Sequence, residues 1–196
     1  MPSTRDKLGL LAVVVVATFA VVLIILQDKH RPSDPKRAAP QFTSIESQTR
    51  LAKALTGIAR VVDGDTVAIH GKRIRLNGVD APESQQVCES NGQEYPCGER
   101  ATEALIALLA GQTTECVEVT RDRYQRIVAR CQVGSTDVAG WMVENGWAIA
   151  YRKYSLDYVE AEQRAQSQKS GMWAGIFTQP EEWRRIKAME RTHVQR

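Results

Sequence analysis

The central part of the chain alternates between short runs of β-branched residues and turn-forming residues. The runs GIARVV, TVAIH and KRIRLNGV follow one another closely, and DGD and HGK separate them. Short β-branched runs divided by glycine and aspartate are typical of strands joined by tight turns. The pattern therefore predicts a three-stranded meander that begins near Leu55.

The next region changes to a helical period. Apolar residues recur at helical spacing from Ala101 to Leu109, and Gly111 ends the run. Two further strands, ECVEVT and RIVARCQV, come after this helix, and STDVAGWMVENG predicts a second helix. A third helix is expected to begin at a Ser155 cap and to end at Gly171. The closing segment, QPEEWRRIKAMERTHVQR, predicts a basic helix or a frayed tail.

The predicted order of elements is β-β-β-α-β-β-α-α. Five short strands with a helix between the third and the fourth are typical of an OB-fold, a small Greek-key barrel. We therefore predict an α+β domain, mainly β, with a five-stranded OB-fold barrel and three helices.

The first part of the chain has a different character. Residues 8–26 contain no charged residue and no proline, and about 20 such residues are needed to span a bilayer core as a helix. A cleaved signal peptide is the alternative, but its apolar region is usually shorter, at about 7–15 residues, and ends in a small-x-small site that is missing from VLIILQDKH. We predict an uncleaved transmembrane anchor at residues 8–27.

The domain boundaries follow from these patterns. A short flank, residues 1–7, precedes the anchor, and a polar, proline-containing linker occupies residues 28–54. The globular domain is predicted at residues 55–178, and a basic tail at residues 179–196. We expect the domain to be monomeric.

Charge and cysteine content bear on partners and compartment. The net charge of +3 permits a polyanionic partner without requiring one. Cys116 and Cys131 flank a predicted hairpin, and Cys88 and Cys97 close a small loop, so two disulfides are expected, which indicates an oxidising compartment. Four free buried cysteines in a cytosolic domain remain the alternative, and the basic residues that follow the apolar run also favour the cytoplasm. We predict a domain outside the cytoplasm, periplasmic or extracellular, anchored to the inner or plasma membrane.

Acidic and basic side chains gather in the stretch VVDGDTVAIHGKRIRLNGVDAPE. If its strands pair, Asp65 and Asp80 converge, and oxygen ligands without nearby Cys or His suit a hard cation such as Ca²⁺ or Mg²⁺. The alternative is that these acids only form turns. Arg75 lies on the strand between them. A cation, guanidiniums and a carboxylate that accepts a proton from water together suit phosphodiester hydrolysis.

Five separated blocks carry a resemblance to a known family. VVDGDT, IRLNGVDAPE, DRYQR, MVENGWAIAY and the SGMW ending, in this order, resemble the staphylococcal nuclease (thermonuclease) family over about residues 57–173. The resemblance implies an OB-fold endonuclease that acts on DNA and RNA and depends on Ca²⁺ more than on Mg²⁺.

The resemblance also implies roles for individual residues. In chain order, these are a metal ligand at Asp65, a phosphate-neutralising residue at Arg75, metal ligands at Asp80 and the Ala81 carbonyl, a general base at Glu83, substrate contacts at Arg123 and Tyr124, a second phosphate-neutralising residue at Arg126, and a further substrate contact at Tyr151.

The chain departs from the family at Gln125, where the family usually has glycine. If this position needs a positive φ, glutamine strains the loop that presents Arg126 by roughly 1–2 kcal/mol. A further hypothesis is that a Cys88–Cys97 bridge steadies one wall of the substrate cleft beside Glu83.

Two other classes of function compete with the nuclease. A non-catalytic OB module would bind nucleic acid or a protein partner at the cell envelope, and a disulfide-stapled envelope domain would be purely structural. The presence of Arg75, Glu83 and Arg126 together with Asp65 and Asp80 favours catalysis.

Overall fold

The computed structural model of the chain describes residues 54–194. The predicted flank, anchor and linker lie outside the described residues, apart from Ala54. Within residues 54–194, no helix combines the length and the apolar character needed to cross a membrane.

Eleven strands and four α-helices make up the described part of the chain. The strands are β1 (Ala54–Ile58), β2 (Arg60–Asp63), β3 (Thr66–Ile69), β4 (Lys72–Leu76), β5 (Val79–Asp80), β6 (Cys88–Ser90), β7 (Gln93–Tyr95), β8 (Thr113–Arg121), β9 (Ile127–Val133), β10 (Thr136–Asp137) and β11 (Ile149–Ala150). The helices are α1 (Cys97–Leu109), α2 (Val138–Glu144), α3 (Val159–Gln168) and α4 (Pro180–Val194), with a 3₁₀ turn at Gly171–Ala174 between the last two.

The main sheet curls into a half-barrel. Its strand order is β1-β8-β9-β4-β3-β2, with β10 paired to β9, and two small sheets join β11 to β5 and β6 to β7. All pairs in the main sheet are antiparallel except β4 and β9, which run parallel. The predicted α+β class is confirmed, and the arrangement fits an OB-fold with more strands than the five that the sequence predicted.

The core lies between the curled sheet and α1 to α3. In β4, Ile74 and Leu76 are buried while Arg73 is exposed, because alternate side chains of a strand point to opposite faces. On α1, Ala101, Leu105 and Leu109 are buried on one face, as the helical period predicted. The alternation in β4 therefore leaves Arg75 outside the apolar core.

Two helix boundaries differ from the predicted ones. The third helix begins at Val159 instead of after Ser155, because the Ser155 hydroxyl accepts a bond from the Asp157 amide in a turn that the buried Tyr158 closes. The same helix ends before Lys169, whose φ of 54° is left-handed, so Gly171 lies beyond its end. The C-terminal segment, for which a helix and a frayed tail were both open, forms α4.

Both predicted cysteine pairs form disulfides. Cys116 and Cys131 face each other in the β8–β9 register, and Cys88 and Cys97 connect β6 to the start of α1. The second pair belongs to a small apolar cluster with Ile149 and Met172, separate from the main core. Cys88 begins β6 at the end of the loop that carries Glu83, so this cluster adjoins that loop.

Candidate active site

The pairing of β3 with β4 brings Asp65 to Arg75. Thr66 is opposite Arg75 in the antiparallel register, and the Leu76 amide donates to the Asp65 carbonyl at 2.8 Å. Arg75 Nη1 lies 3.0 Å from Asp65 Oδ1, and Arg75 Nη2 lies 2.9 Å from Asp65 Oδ2. One ion pair thus joins the turn before β3 to the middle of β4.

Asp80 joins the same arginine from the other end of the segment. Arg75 Nη2 lies 2.9 Å from Asp80 Oδ1, and the Ala81 amide donates to Asp65 Oδ2 at 3.2 Å. Pairing of β5 with β11 holds Asp80 opposite Ile149. The convergence of Asp65 and Asp80 that strand pairing predicted is therefore present, with Arg75 between the two carboxylates.

A second guanidinium reaches these acids from α4. Arg184 Nη1 and Nη2 lie 3.0 and 2.9 Å from the two oxygens of Asp80, and Arg184 Nη1 lies 2.7 Å from Glu83 Oε1. Arg184 was not among the predicted site residues. The basic helical segment was visible, but no signal in EEWRRIK separates Arg184 from Arg185. We call Asp65, Arg75, Asp80, Glu83 and Arg184 the acid–arginine cluster.

Burial sets the electrostatics of this cluster. Asp80 is fully buried and Asp65 is 5% exposed, whereas the Glu83 side chain is 38% exposed. Burial raises the pKa of Asp65 to about 7, although the positive charge of Arg75 opposes the rise. Burial acts to lower the pKa of Arg75, but the charges of Asp65 and Asp80 outweigh it and raise the pKa. Glu83 is the carboxylate with the best access to water.

The donor chemistry at Asp65 and Asp80 fits a hard divalent cation. Two buried carboxylates converge, and Ala81 lies beside them. Within residues 54–194, no three His, Cys, Asp or Glu side chains form a group able to hold a metal ion. A cation at Asp65 and Asp80 would therefore take backbone or water oxygens as its other ligands, as Ca²⁺ commonly does.

Three features hold the Glu83 loop in place. Gln86, which is fully buried, accepts from the Glu83 amide at 3.3 Å and donates to the Thr178 carbonyl at 2.6 Å. Gly98 packs so closely that a Cβ built on it would lie 1.8 Å from the Glu83 carbonyl oxygen. The Cys88–Cys97 disulfide ties the end of the loop to α1. The start of α1 and the segment before α4 therefore both fix the position of Glu83.

Arg126 lies on the β8–β9 hairpin and is paired with a neighbour. Its Nε donates to Asp122 Oδ2 at 2.6 Å, and its amide donates to Asp122 Oδ1 at 2.9 Å. In the described part of the chain, the guanidinium of Arg126 pairs with Asp122 and not with a carboxylate of the acid–arginine cluster. Gln125 has a φ of 61°, so the condition under which glutamine would strain this loop is met.

The predicted substrate contacts Arg123 and Tyr124 lie on a different surface from Tyr151. Tyr124 is exposed, with the guanidiniums of Arg123 and Arg126 4.8 and 5.6 Å from its ring centre. Arg126 also lines a cleft of about 400 Å³ with Lys72, Arg73 and Arg121.

Tyr151 lines a different cleft from Arg126. It lines a cleft of about 390 Å³ whose wall includes Asp80, and its ring meets that of Tyr154 edge-on at 4.8 Å. Burial raises the pKa of Tyr151, and the nearby charges of Glu181 and Asp80 add to the effect. The acid–arginine cluster therefore has an aromatic cleft beside Asp80.

Comparison with known proteins places this site in a family. The family described as "Staphylococcal nuclease homologue" matches residues 73–175, more than half of the 196-residue chain. The chain is 30% identical to an uncharacterized endonuclease of Haemophilus influenzae over 152 residues, which cover 74% of this chain and 80% of that protein. It is 32% identical to a micrococcal nuclease of Shigella flexneri over 146 residues, covering 65% of this chain and 79% of that protein.

A third relative has a different kind of name. The succinoglycan biosynthesis protein ExoI of Rhizobium meliloti is 41% identical over 126 residues, which cover 62% of this chain and 66% of that protein. The endonuclease relatives and the matched family agree with the motifs and with the acid–arginine geometry. The chain belongs to the staphylococcal nuclease homologue family, and the prediction that it is a phosphodiester hydrolase is confirmed.

Proposed function

We propose that the protein is a Ca²⁺-dependent endonuclease that hydrolyses DNA and RNA and is tethered to a membrane by its N-terminal segment. The observation that carries the proposal is the convergence of Asp65 and Asp80 on Arg75, with Glu83 joined to Asp80 through Arg184. Membrane attachment and a location outside the cytoplasm are supported by the apolar run at residues 8–26 and by the two disulfides.

Each residue has a defined task in this proposal. Glu83 accepts a proton from a water molecule, whose oxygen attacks the phosphorus while the bond from phosphorus to the leaving oxygen breaks. Arg75 donates to the phosphate oxygens as negative charge develops on them, and Arg126 does the same when it leaves Asp122. Asp65, Asp80 and the Ala81 carbonyl would hold a Ca²⁺, which would supply further positive charge next to the phosphate.

The aromatic side chains serve binding. Tyr151 lies in the cleft beside Asp80, where a base can stack on its ring, and the exposed Tyr124 lies among basic residues on the hairpin. Arg123 supplies positive charge to the same hairpin. Stacking and phosphate contacts do not involve the 2′-hydroxyl that distinguishes RNA from DNA, which supports activity on both.

The test is a digestion assay with closed circular plasmid and with RNA, using the full chain in Ca²⁺ or in excess chelator. Closed circles are cut only by an endonuclease. We expect cleavage in Ca²⁺ and none in chelator, and Glu83→Gln should lower the rate by about 10²–10⁴-fold because it removes the general base. Glu89→Gln, at an exposed carboxylate on β6, is the matched control and should leave the rate unchanged.

Two outcomes contradict the mechanism. Cleavage that is insensitive to both chelator and Glu83→Gln excludes the proposed roles of the metal and of Glu83. Binding of plasmid without cleavage by the wild-type chain identifies the non-catalytic OB module instead.

A further inference from the structure

Arg184 is the one member of the acid–arginine cluster that neither the family resemblance nor the proposed function assigns. Its guanidinium approaches both oxygens of Asp80 in a bidentate pair and one oxygen of Glu83. These two carboxylates are the proposed metal ligand and the proposed general base. A planar fork that spans two carboxylates is well suited to fix their relative position.

The position of Arg184 is built into the start of α4. The buried Gln86 connects the Glu83 amide to the Thr178 carbonyl, two residues before Pro180 opens the helix. Arg184 then lies about one turn into α4 and points to the acids. Its neighbour Arg185 pairs with Glu182 on the outside, and its side chain is 68% exposed.

Arg184 and Arg75 occupy the oxygens that a cation would need. Arg75 contacts both oxygens of Asp65 and one of Asp80, and Arg184 contacts both oxygens of Asp80. The cluster contains three carboxylates and two guanidiniums, so with all three carboxylates ionised a divalent cation meets one excess negative charge instead of three. The positive charges of Arg75 and Arg184 are in direct contact with these carboxylates and therefore weaken the binding of a cation there.

Arg184 is the easier of the two arginines to displace. Arg75 is fixed within the sheet, and its side chain is 19% exposed, whereas Arg184 is on the last helix with 35% of its side chain exposed. A cation that takes an Asp80 oxygen therefore competes first with Arg184. The same displacement frees the Glu83 oxygen that Arg184 holds.

We propose that Arg184 is a positioning residue of the active site that competes with the divalent cation for Asp80 and Glu83, and so sets the Ca²⁺ concentration at which the nuclease operates. The proposal rests on the Ca²⁺ dependence proposed above. It assigns to α4, which lies outside the matched family region, a direct role at the site.

The test is calorimetric titration of the full chain with Ca²⁺ alone, without substrate. Arg184→Gln keeps a hydrogen-bond donor and removes the charge, and we expect Ca²⁺ to bind it about tenfold more tightly than it binds the wild type. Arg185→Gln removes the same charge from the next residue of α4 and is expected to change the dissociation constant by less than about twofold. The Ca²⁺ concentration for half-maximal cleavage should fall in parallel for Arg184→Gln only.

Equal or weaker Ca²⁺ binding by folded Arg184→Gln overturns the proposal, and Ca²⁺-dependent cleavage by the wild type would then leave the proposed function standing. If Arg184→Gln does not fold, Arg184→Lys decides the matter. Lysine keeps the charge but loses the fork, so about threefold tighter Ca²⁺ binding is expected, and unchanged binding overturns the proposal. If neither the wild type nor any variant binds Ca²⁺, both this inference and the proposed Ca²⁺ requirement are wrong.

Discussion

Gln125 has a strained backbone conformation in the loop that presents Arg126. It follows Tyr124 at the tip of the β8–β9 hairpin, and its φ is 61°. Asp122 closes the loop by accepting from the amides of Tyr124 and Arg126, and the Gln125 amide donates to the Asp122 carbonyl. The loop therefore keeps its turn with a residue that has a Cβ, at a conformational cost of about 1–2 kcal/mol.

We expect Gln125→Gly to stabilise the protein by up to about 1 kcal/mol, because the relief of strain exceeds the added chain entropy of glycine in the unfolded state. Gln125→Ala is the matched control, since it removes the same side chain and keeps the Cβ. Urea denaturation of the two variants and the wild type measures the difference. Equal stability of the glycine and alanine variants would contradict the prediction, because the relief of strain would then do no more than offset the added chain entropy of glycine.

The β4 strand shows what residue-level pattern can predict. Alternation places Ile74 and Leu76 in the core and Arg75 on the other face, and the structure agrees. The pairing of Arg75 with Asp65 and Asp80 follows from the adjacent strands. The pairing of Arg126 with Asp122 was not predicted. The two residues are only four apart, but they lie in a loop whose conformation the sequence does not determine.

At the scale of elements, one tyrosine joins two helices. The Tyr158 hydroxyl donates to the Asp137 carboxylate, which also accepts from the Gly140 amide as the N-cap of α2. Tyr158 itself precedes α3 directly. Burial raises the pKa of Tyr158 above its ordinary value of 10, and the negative charge of Asp137 raises it further.

The raised pKa predicts a loss of stability at alkaline pH. The folded protein favours the protonated phenol, so this contribution is complete below pH 10, where an unfolded tyrosine begins to ionise, and decreases as the pH rises further. Tyr158→Phe should cost about 1–2 kcal/mol of unfolding free energy at pH 8, and this deficit should shrink as the pH rises above 10.

Urea denaturation at pH 8 and above pH 10 provides the measurement. Tyr154→Phe, at a position with 66% exposure, is the control and should show no such change with pH. A deficit for Tyr158→Phe that stays constant with pH contradicts the assigned role of the hydroxyl.

At the scale of the whole molecule, the two disulfides stabilise different regions. Cys116–Cys131 crosses the β8–β9 hairpin with a sequence separation of 15, and Cys88–Cys97, with a separation of 9, lies in the loop that leads away from Glu83. Closing loops of these lengths stabilises the folded state by roughly 2–3 kcal/mol each in the chain-entropy description. Only the second disulfide is expected to affect catalysis.

We therefore expect the double variant Cys88→Ser, Cys97→Ser to have both a lower melting temperature and a lower cleavage rate than the wild type. The double variant Cys116→Ser, Cys131→Ser should lose a similar amount of stability and keep its rate at temperatures where it is folded. Thermal unfolding and the plasmid assay, done side by side at low temperature, distinguish the two effects. Full activity and an unchanged melting temperature in the first variant would remove the hypothesis that this bridge steadies the cleft wall.

The sequence by itself determined the class of fold, the family and the grouping of Asp65, Arg75, Asp80 and Glu83, because these depend on local periods and on strands that are close in the chain. The tertiary structure decided the parallel pairing of β4 with β9, the separation of Arg126 from the acids and the approach of Arg184 to Asp80. Arg184 and Asp80 are 104 residues apart, so only the docking of α4 selects Arg184 over Arg185. Contacts at such separation depend on how whole elements pack, and no local pattern encodes that packing.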